Sequence, residues 1–367
     1  MKWKLFLYIF FFIYQFSVGQ LHQSLFSADY NMGYNLTRVK SNYIFESPMP
    51  FSFQINWQKS NFYEQKSYEK YRHTDFGLTF MMHDYKDKEL GKNFGIYAFM
   101  EFYLIKNVQQ KLSISFRISE GIAYNSNPYD KKNNPKNLSF ASHISLPINL
   151  FLYFRYPKIY RHWGLEAGLG VFHYSNGNLH SPNYGTNIPS INLGLNYDFR
   201  DKPRQFKIKH AIIDKNWNLF GFLRFGANES DYINSGQYPF FIPGIQISKF
   251  LNQRHKISFG SELFLSYFLK EQIAYESIAF PEFDISRNTD FKRIGVYTSY
   301  EFNFNKLGLD FGMGYYIYYP YHFETRFYNR LQLNFYLSKS FVVGNSLKFH
   351  HFSRAEAYEF FIAYKIF

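Results

Sequence analysis

Between Trp163 and Gly177 the chain runs WGLEAGLGVFHYSNG, with large apolar residues alternating with small or polar ones. A period of two marks a β-strand, in which successive side chains leave opposite faces. Trp163, Leu165, Ala167, Leu169 and Val171 then share one face with His173 and Ser175, and Gly164, Glu166, Gly168 and Gly170 share the other. A base and a nucleophile thus lie on the apolar face of a strand, where a soluble protein would keep its core. In a membrane barrel that face meets lipid, and the chemistry points outward.

The same alternation recurs along the chain. Phe94, Ile96, Ala98, Met100, Phe102 and Leu104 oppose Gly95, Tyr97, Phe99, Glu101 and Tyr103. Ile144 to Phe154, Ile257 to Leu269, Ile294 to Phe302 and Leu307 to Ile317 repeat the pattern, with Glu166, Glu262, Glu301 and Asp310 on polar faces. One face suits hydrocarbon; the other carries the Gly, Glu, Asp and Asn of a barrel lumen. A secreted β-sandwich would also alternate, so the connections matter more. Short polar turns (Lys106 to Lys111, Pro157 to Arg161, Arg200 to Arg204, Asn252 to His255, Asn305-Lys306) alternate with long loops at Tyr124 to Ser142, Asn176 to Thr186, Ala227 to Tyr238 and Glu271 to Asp290. Short turns on one side and long loops on the other are the pattern of an outer-membrane barrel, and this phase puts the His173 end of its strand at the outer surface.

The expected fold is therefore all-β: one antiparallel transmembrane β-barrel of about 14 strands, within a range of 12 to 16. It would occupy residues 20–367 as a single domain. Residues 1–19 read as a cleaved signal peptide, with Lys2 and Lys4, an apolar run from Leu5 to Phe16, and Ser17-Val18-Gly19 before the cut at Gln20. The apolar run is shorter than the ~20 residues a spanning helix requires. The last residues, Tyr358 to Phe367, alternate again and end in an aromatic.

Composition narrows the function. With no Cys among 367 residues, thiol catalysis, a disulfide framework, a lipoprotein anchor and Cys-based metal sites are excluded. The 34 Tyr and 46 Phe suit strands and interfacial girdles. The net charge of +13 suits anionic lipid headgroups or solvated loops such as Lys131 to Lys136, and no nucleic-acid recognition motif accompanies it. No HExxH or comparable metal constellation occurs, and His350-His351 is a metal candidate more simply read as a structural pair. Gly168-Leu169-Gly170 precedes no helix, so it is a strand pattern and not a phosphate loop.

Residues i and i+2 of a strand face the same way, roughly 6 to 7 Å apart, so His173 reaches Ser175 as a base must reach its nucleophile. In an antiparallel hairpin Asn187 falls across from them, on the same face as Ile191, Leu193, Leu195 and Tyr197. An Asn can orient a His, though it stabilises imidazolium less than a carboxylate does.

His173-x-Ser175-Asn176, then Pro182-Asn183-Tyr184-Gly185, then a strand, resembles the lipid A 3-O-deacylase barrels, the acyloxyacyl hydrolases. The similarity extends to Tyr71–Tyr85 with Asp75-Phe76-Gly77, to Gly121–Asp130, to Asn149–Arg155 and to the C-terminal strand. The resemblance implies an ester hydrolase with Ser175 as nucleophile, His173 as general base, and oxyanion donors at Asn176 and Gly177. Where the family has a catalytic Glu, this chain has Asn187, which implies reduced or altered chemistry, or its loss. The expected activity is deacylation of lipid A, free or as lipopolysaccharide, in the outer leaflet of a Gram-negative-type outer membrane. Membrane lipids are the expected partners, with no cofactor and no nucleic acid. Two alternatives stay open: a non-enzymatic barrel, structural or a small-solute channel, and a phospholipase using the same site.

Overall fold

The protein was analysed as a computed structural model, which describes residues 24–36, 49–60, 74–106, 112–199, 216–230, 232–233, 235–252, 254–304, 306–351 and 354–367. The signal peptide, the turn Arg200–Arg204, the stretch Phe206–Asp214, and nearly all of Lys59–His73 and of the turn Lys106–Lys111 lie outside the described residues. The chain forms two compact units, residues 1–175 with 184–210, and residues 176–183 with 211–367.

The first unit is a closed antiparallel sheet. Its strands are β1 (Ser24–Gly33), β2 (Phe51–Ser60), β3 (Thr74–Asp84), β4 (Lys92–Lys106), β5 (Ser113–Asn125), β6 (Ile144–Ser145), β7 (Ile148–Tyr160), β8 (Trp163–Tyr174) and β9 (Thr186–Asp198). Neighbours pair in the order β4-β3-β2-β1-β9-β8-β7-β5, and a β4–β5 pairing closes the ring; the two-residue β6 adds to β5. The second unit is a closed barrel of β10 (Asn218–Glu229), β11 (Gln237–Phe250), β12 (His255–Ser266), β13 (Arg293–Phe304), β14 (Leu307–Tyr318), β15 (Phe327–Tyr336), β16 (Phe341–His350) and β17 (Arg354–Lys365).

All-β, antiparallel barrel architecture is as the alternation requires, and the ring strands of the described residues fall within the expected range of 12 to 16, closing on themselves in two sets. Closure is made by backbone groups, which carry no side-chain signature. Tyr30 of β1 pairs with Leu193 of β9, and Phe222 of β10 pairs with Ala363 of β17, so each half satisfies its own edges. At the chain end the Leu219 N–H donates to the Phe367 carbonyl (2.9 Å), extending this seam beyond β17.

Each ring has polar side chains and buried aromatic clusters inside, and apolar side chains outside. Leu165, Leu169 and Leu193 are 52%, 55% and 61% exposed, whereas the intervening Glu166 is 3% exposed. An eight-stranded barrel is just wide enough for side chains to fill its interior. In the first ring Arg155 donates to Glu101 (2.6 Å) and Glu166 (2.6 Å), Arg117 donates to Glu101 (2.6 Å), and the Arg117 guanidinium lies 3.9 Å from the Phe99 ring centre. In the second, Arg330 bridges Glu262 (2.8 Å) and Glu359 (2.7 Å), Lys256 meets Glu301 (2.6 Å), and Ser299 donates to Asp310 (2.9 Å). The lumen roles expected for Glu166, Glu262, Glu301 and Asp310 are thus observed.

Two connections differ from expectation. β10 and β11 run on into the expected loop Ala227–Tyr238 and leave only residues 230–236 between them. The connection after β12 holds a helix, α1 (Tyr267–Ala279), where a loop over Glu271–Asp290 was expected. Its buried face is Phe268, Leu269, Gln272, Ile273 and Glu276, at helical spacing, but two of the five are polar and weaken the apolar stripe. Those two are held by hydrogen bonds: Gln272 donates to Glu276 (2.8 Å) and the Tyr321 hydroxyl donates to Glu276 (2.6 Å).

Candidate active site

Strand β8 delivers its last residues at the end of the first ring where the long connection 126–147 lies. Its pleat alternates to the end: Val171 points out, Phe172 and Tyr174 are buried inside, and His173 returns to the outer side. Register pairs His173 with Asn187 of β9. Directly opposed residues of an antiparallel pair have side chains close enough to touch. The Nδ1 of His173 lies 2.8 Å from Asn187 Oδ1, and its Nε2 lies 3.1 Å from Ser175 Oγ. An amide oxygen only accepts, so Nδ1 carries the ring proton and Nε2 accepts from the Ser175 hydroxyl. That is the tautomer a general base needs.

Ser175 is 6% exposed and held from several sides. Its carbonyl accepts the Leu146 N–H at 2.7 Å. The returning chain passes beside it at Gly185, whose φ is +64° and whose position leaves no room for a side chain. A Cβ there would stand 2.5 Å from the Tyr174 carbonyl and 3.3 Å from Ser175 Cβ. The Gly185 and Tyr184 N–H groups donate to the Ser139 and Leu138 carbonyls at 3.2 and 3.1 Å, which ties this return to the 126–147 connection. On the lumen side, Tyr174 packs with Tyr85, Phe140 and Phe172 in one buried cluster and accepts from the Tyr97 hydroxyl (3.2 Å).

His173, Ser175 and Asn187 are therefore brought together. Asn176 and Gly177 follow Ser175 in the chain but pack within the second unit. The Asn176 N–H donates to Asn183 Oδ1 (2.9 Å) and its Nδ2 donates to the His180 carbonyl (2.8 Å), so the main-chain donor and one of the two side-chain N–H donors are engaged inside that segment. Elsewhere, His350 is taken up by Glu356 (2.7 Å) and the Phe327 carbonyl (2.9 Å) and serves the ionic network of the second ring. The sequence did not single out Glu229, which accepts from His180 (2.7 Å), or Gly185 as a packing position; a buried carboxylate at a strand end carries no motif.

Two family models match the chain: "Lipid A 3-O-deacylase (PagL)" over residues 51–196 and "Acyloxyacyl hydrolase, C-terminal domain" over residues 215–367. The chain belongs to the lipid A 3-O-deacylase family. In this family member the first match spans β2 to β9, with His173, Ser175 and Asn187 inside it, and the second spans the whole of the second ring. Among solved structures, the outer membrane enzyme PagL is 14% identical, with a TM-score of 0.35, covering 46% of this chain and 97% of its own. A triple mutant of Rhodopseudomonas blastica porin is 6% identical, with a TM-score of 0.18, covering 93% of this chain and all of its own. Overlays at such scores assign nothing to this deacylase-family chain. No curated protein matches it.

Proposed function

We propose that the protein is an outer-membrane hydrolase that removes an ester-linked acyl chain from lipid A of the outer leaflet, using Ser175 as nucleophile, His173 as general base and Asn187 as its orienting group. The observation that carries this reading is the His173 ring, with Asn187 Oδ1 at 2.8 Å on one nitrogen and Ser175 Oγ at 3.1 Å on the other. His173 and Asn187 stand on the outward side of the strands, which supports approach of a lipid substrate from that side, and Ser175 reaches the His173 ring. Ser175 Oγ attacks the acyl carbonyl carbon while its proton passes to His173 Nε2. The ester C–O bond then breaks, the sugar hydroxyl leaves with the proton from His173, and the acyl group remains on Ser175. Water, deprotonated by His173, attacks that acyl group and releases the fatty acid. Asn176 and Gly177, the two residues after Ser175, are the donors the family resemblance assigns to the developing oxyanion. Nothing in this sequence of steps calls for a metal or cofactor.

The filled interiors argue against the solute-channel alternative, since buried ion pairs such as Arg155–Glu101–Arg117 cross the lumen of the first ring. The test is mass spectrometry of lipid A incubated with the purified mature chain and with Ser175→Ala. The parent should yield lipid A lighter by one ester-linked acyl chain, with free fatty acid. Ser175→Ala should lose about 10³-fold or more in turnover, because triad members act as a unit. Equal turnover by Ser175→Ala removes the assigned nucleophile, and release of fatty acid from phospholipid alone makes the chain a phospholipase.

A further inference from the structure

The segment 176–183 starts one residue after Ser175, yet it packs as part of the second ring. Its attachments converge on one residue, Glu229, the last of β10. The Glu229 carboxylate is buried; its Oε2 accepts from His180 Nδ1 (2.7 Å) and the Ser181 N–H (3.0 Å), and its Oε1 accepts the Gly236 N–H (3.1 Å). Its main chain pairs with Asn178 in both directions, N–H to the Asn178 carbonyl and carbonyl from Asn178 Nδ2, each at 3.1 Å. Flanking contacts extend the seat: the Tyr358 N–H donates to the Gly177 carbonyl (3.1 Å), Gln237 to the Leu179 carbonyl (2.7 Å) and Ser181 Oγ to the Ser230 carbonyl (2.7 Å).

This seat holds a backbone that would not keep its shape alone. Gly177 and Asn178 are consecutive residues with φ of +63° and +65°. Gly and Asn are the residues that adopt such a left-handed turn most readily, and the seat selects it among the many conformations open to them. A Cβ on Gly177 would stand 2.6 Å from Tyr358 Cβ, so the segment lies flush against β17. A buried carboxylate accepting several N–H groups makes charge-assisted bonds stronger than neutral ones, and removing it leaves those donors unpaired.

We propose that Glu229 is a positioning residue for the ester hydrolysis, anchoring the 176–183 segment, and with it Asn176 and Gly177, in the conformation that turnover requires. The inference rests on the hydrolase reading for its consequence in turnover, while the anchoring is testable without it.

The test uses the full mature chain folded in detergent, with Glu229→Ala, Glu229→Gln and the half-exposed His180→Ala, each checked for folding by heat-modifiable gel mobility. Glu229→Ala should lower kcat on lipid A about ten-fold or more with KM little changed, as expected when buried donors lose their acceptor. Glu229→Gln should recover part of the loss, since its amide oxygen still accepts one N–H, and His180→Ala should lose least. Amide hydrogen exchange in 176–183 should accelerate about ten-fold in Glu229→Ala while β13 to β16 stay protected. A Glu229→Ala variant with parental kcat overturns the proposal, and so does unchanged exchange in 176–183. A parent that cleaves no lipid ester overturns the hydrolase reading instead, and exchange alone then decides the anchoring.

Discussion

In the proposed reaction His173 becomes positively charged each time Ser175 gives up its proton, and the group behind it, Asn187, is a neutral amide 2.8 Å away. The amide holds the ring in the working tautomer but contributes only a dipole toward imidazolium, where a carboxylate would contribute a full charge. Asn187→Glu is therefore expected to raise turnover on lipid A, and Asn187→Ala to lower it. Losing the orienting group in a comparable triad costs up to about 10⁴-fold in turnover, which bounds both effects. Steady-state release of fatty acid by the two variants checks this. Parental turnover in Asn187→Ala would mean that another group orients the ring.

In the proposed reading strand β8 combines both requirements of the site, a hydrocarbon-facing surface and a reactive end. The pleat that exposes Leu165, Leu169 and Val171 also carries His173 outward, so lipid contact and chemistry share one face by geometry alone. That face can be tested in mid-strand, away from the site. Leu169→Arg should destabilise the ring by about 2–4 kcal/mol if Leu169 lies near the bilayer midplane, because the charge must be buried in hydrocarbon. The measurement is the folded fraction in lipid vesicles across a urea series, read by gel mobility. A midpoint equal to that of the parent would show that the outer face of β8 does not meet the hydrocarbon core.

At the scale of the whole chain, two closed rings each bury a network of opposite charges beside a cluster of aromatic side chains. Arg155, fully buried, holds both Glu101 and Glu166 in the first ring, and Arg330 holds Glu262 and Glu359 in the second. Removing one partner of a buried pair leaves an uncompensated charge, at a cost of about 3–5 kcal/mol. Arg155→Ala should therefore lower the stability of the first ring by that amount, measured as a shift of its urea midpoint in detergent, while Arg155→Lys should lose less. An unchanged midpoint for Arg155→Ala would mean that water or a rearranged Arg117 replaces the lost cation.

Alternation with a period of two is a local property, so the sequence by itself determined the strands around Phe94–Leu104, Ile148–Phe154, Trp163–Val171, Ile294–Phe302 and Leu307–Ile317, and which side of each is polar. The lumen placement of Glu166, Glu262, Glu301 and Asp310 was legible for the same reason. Ring closure was not, because the pairing of β1 with β9 and of β10 with β17 is made by backbone N–H and carbonyl groups that every strand edge possesses. The helix Tyr267–Ala279 escaped notice because Gln272 and Glu276 interrupt its apolar face and are satisfied only by partners such as Tyr321. The seat of the 176–183 segment on Glu229 spans about fifty residues of chain, and its donors, mostly main-chain or small polar groups, leave no spacing to read. Tertiary structure alone decided those features, since each depends on which distant groups remain unpaired once the strands have closed.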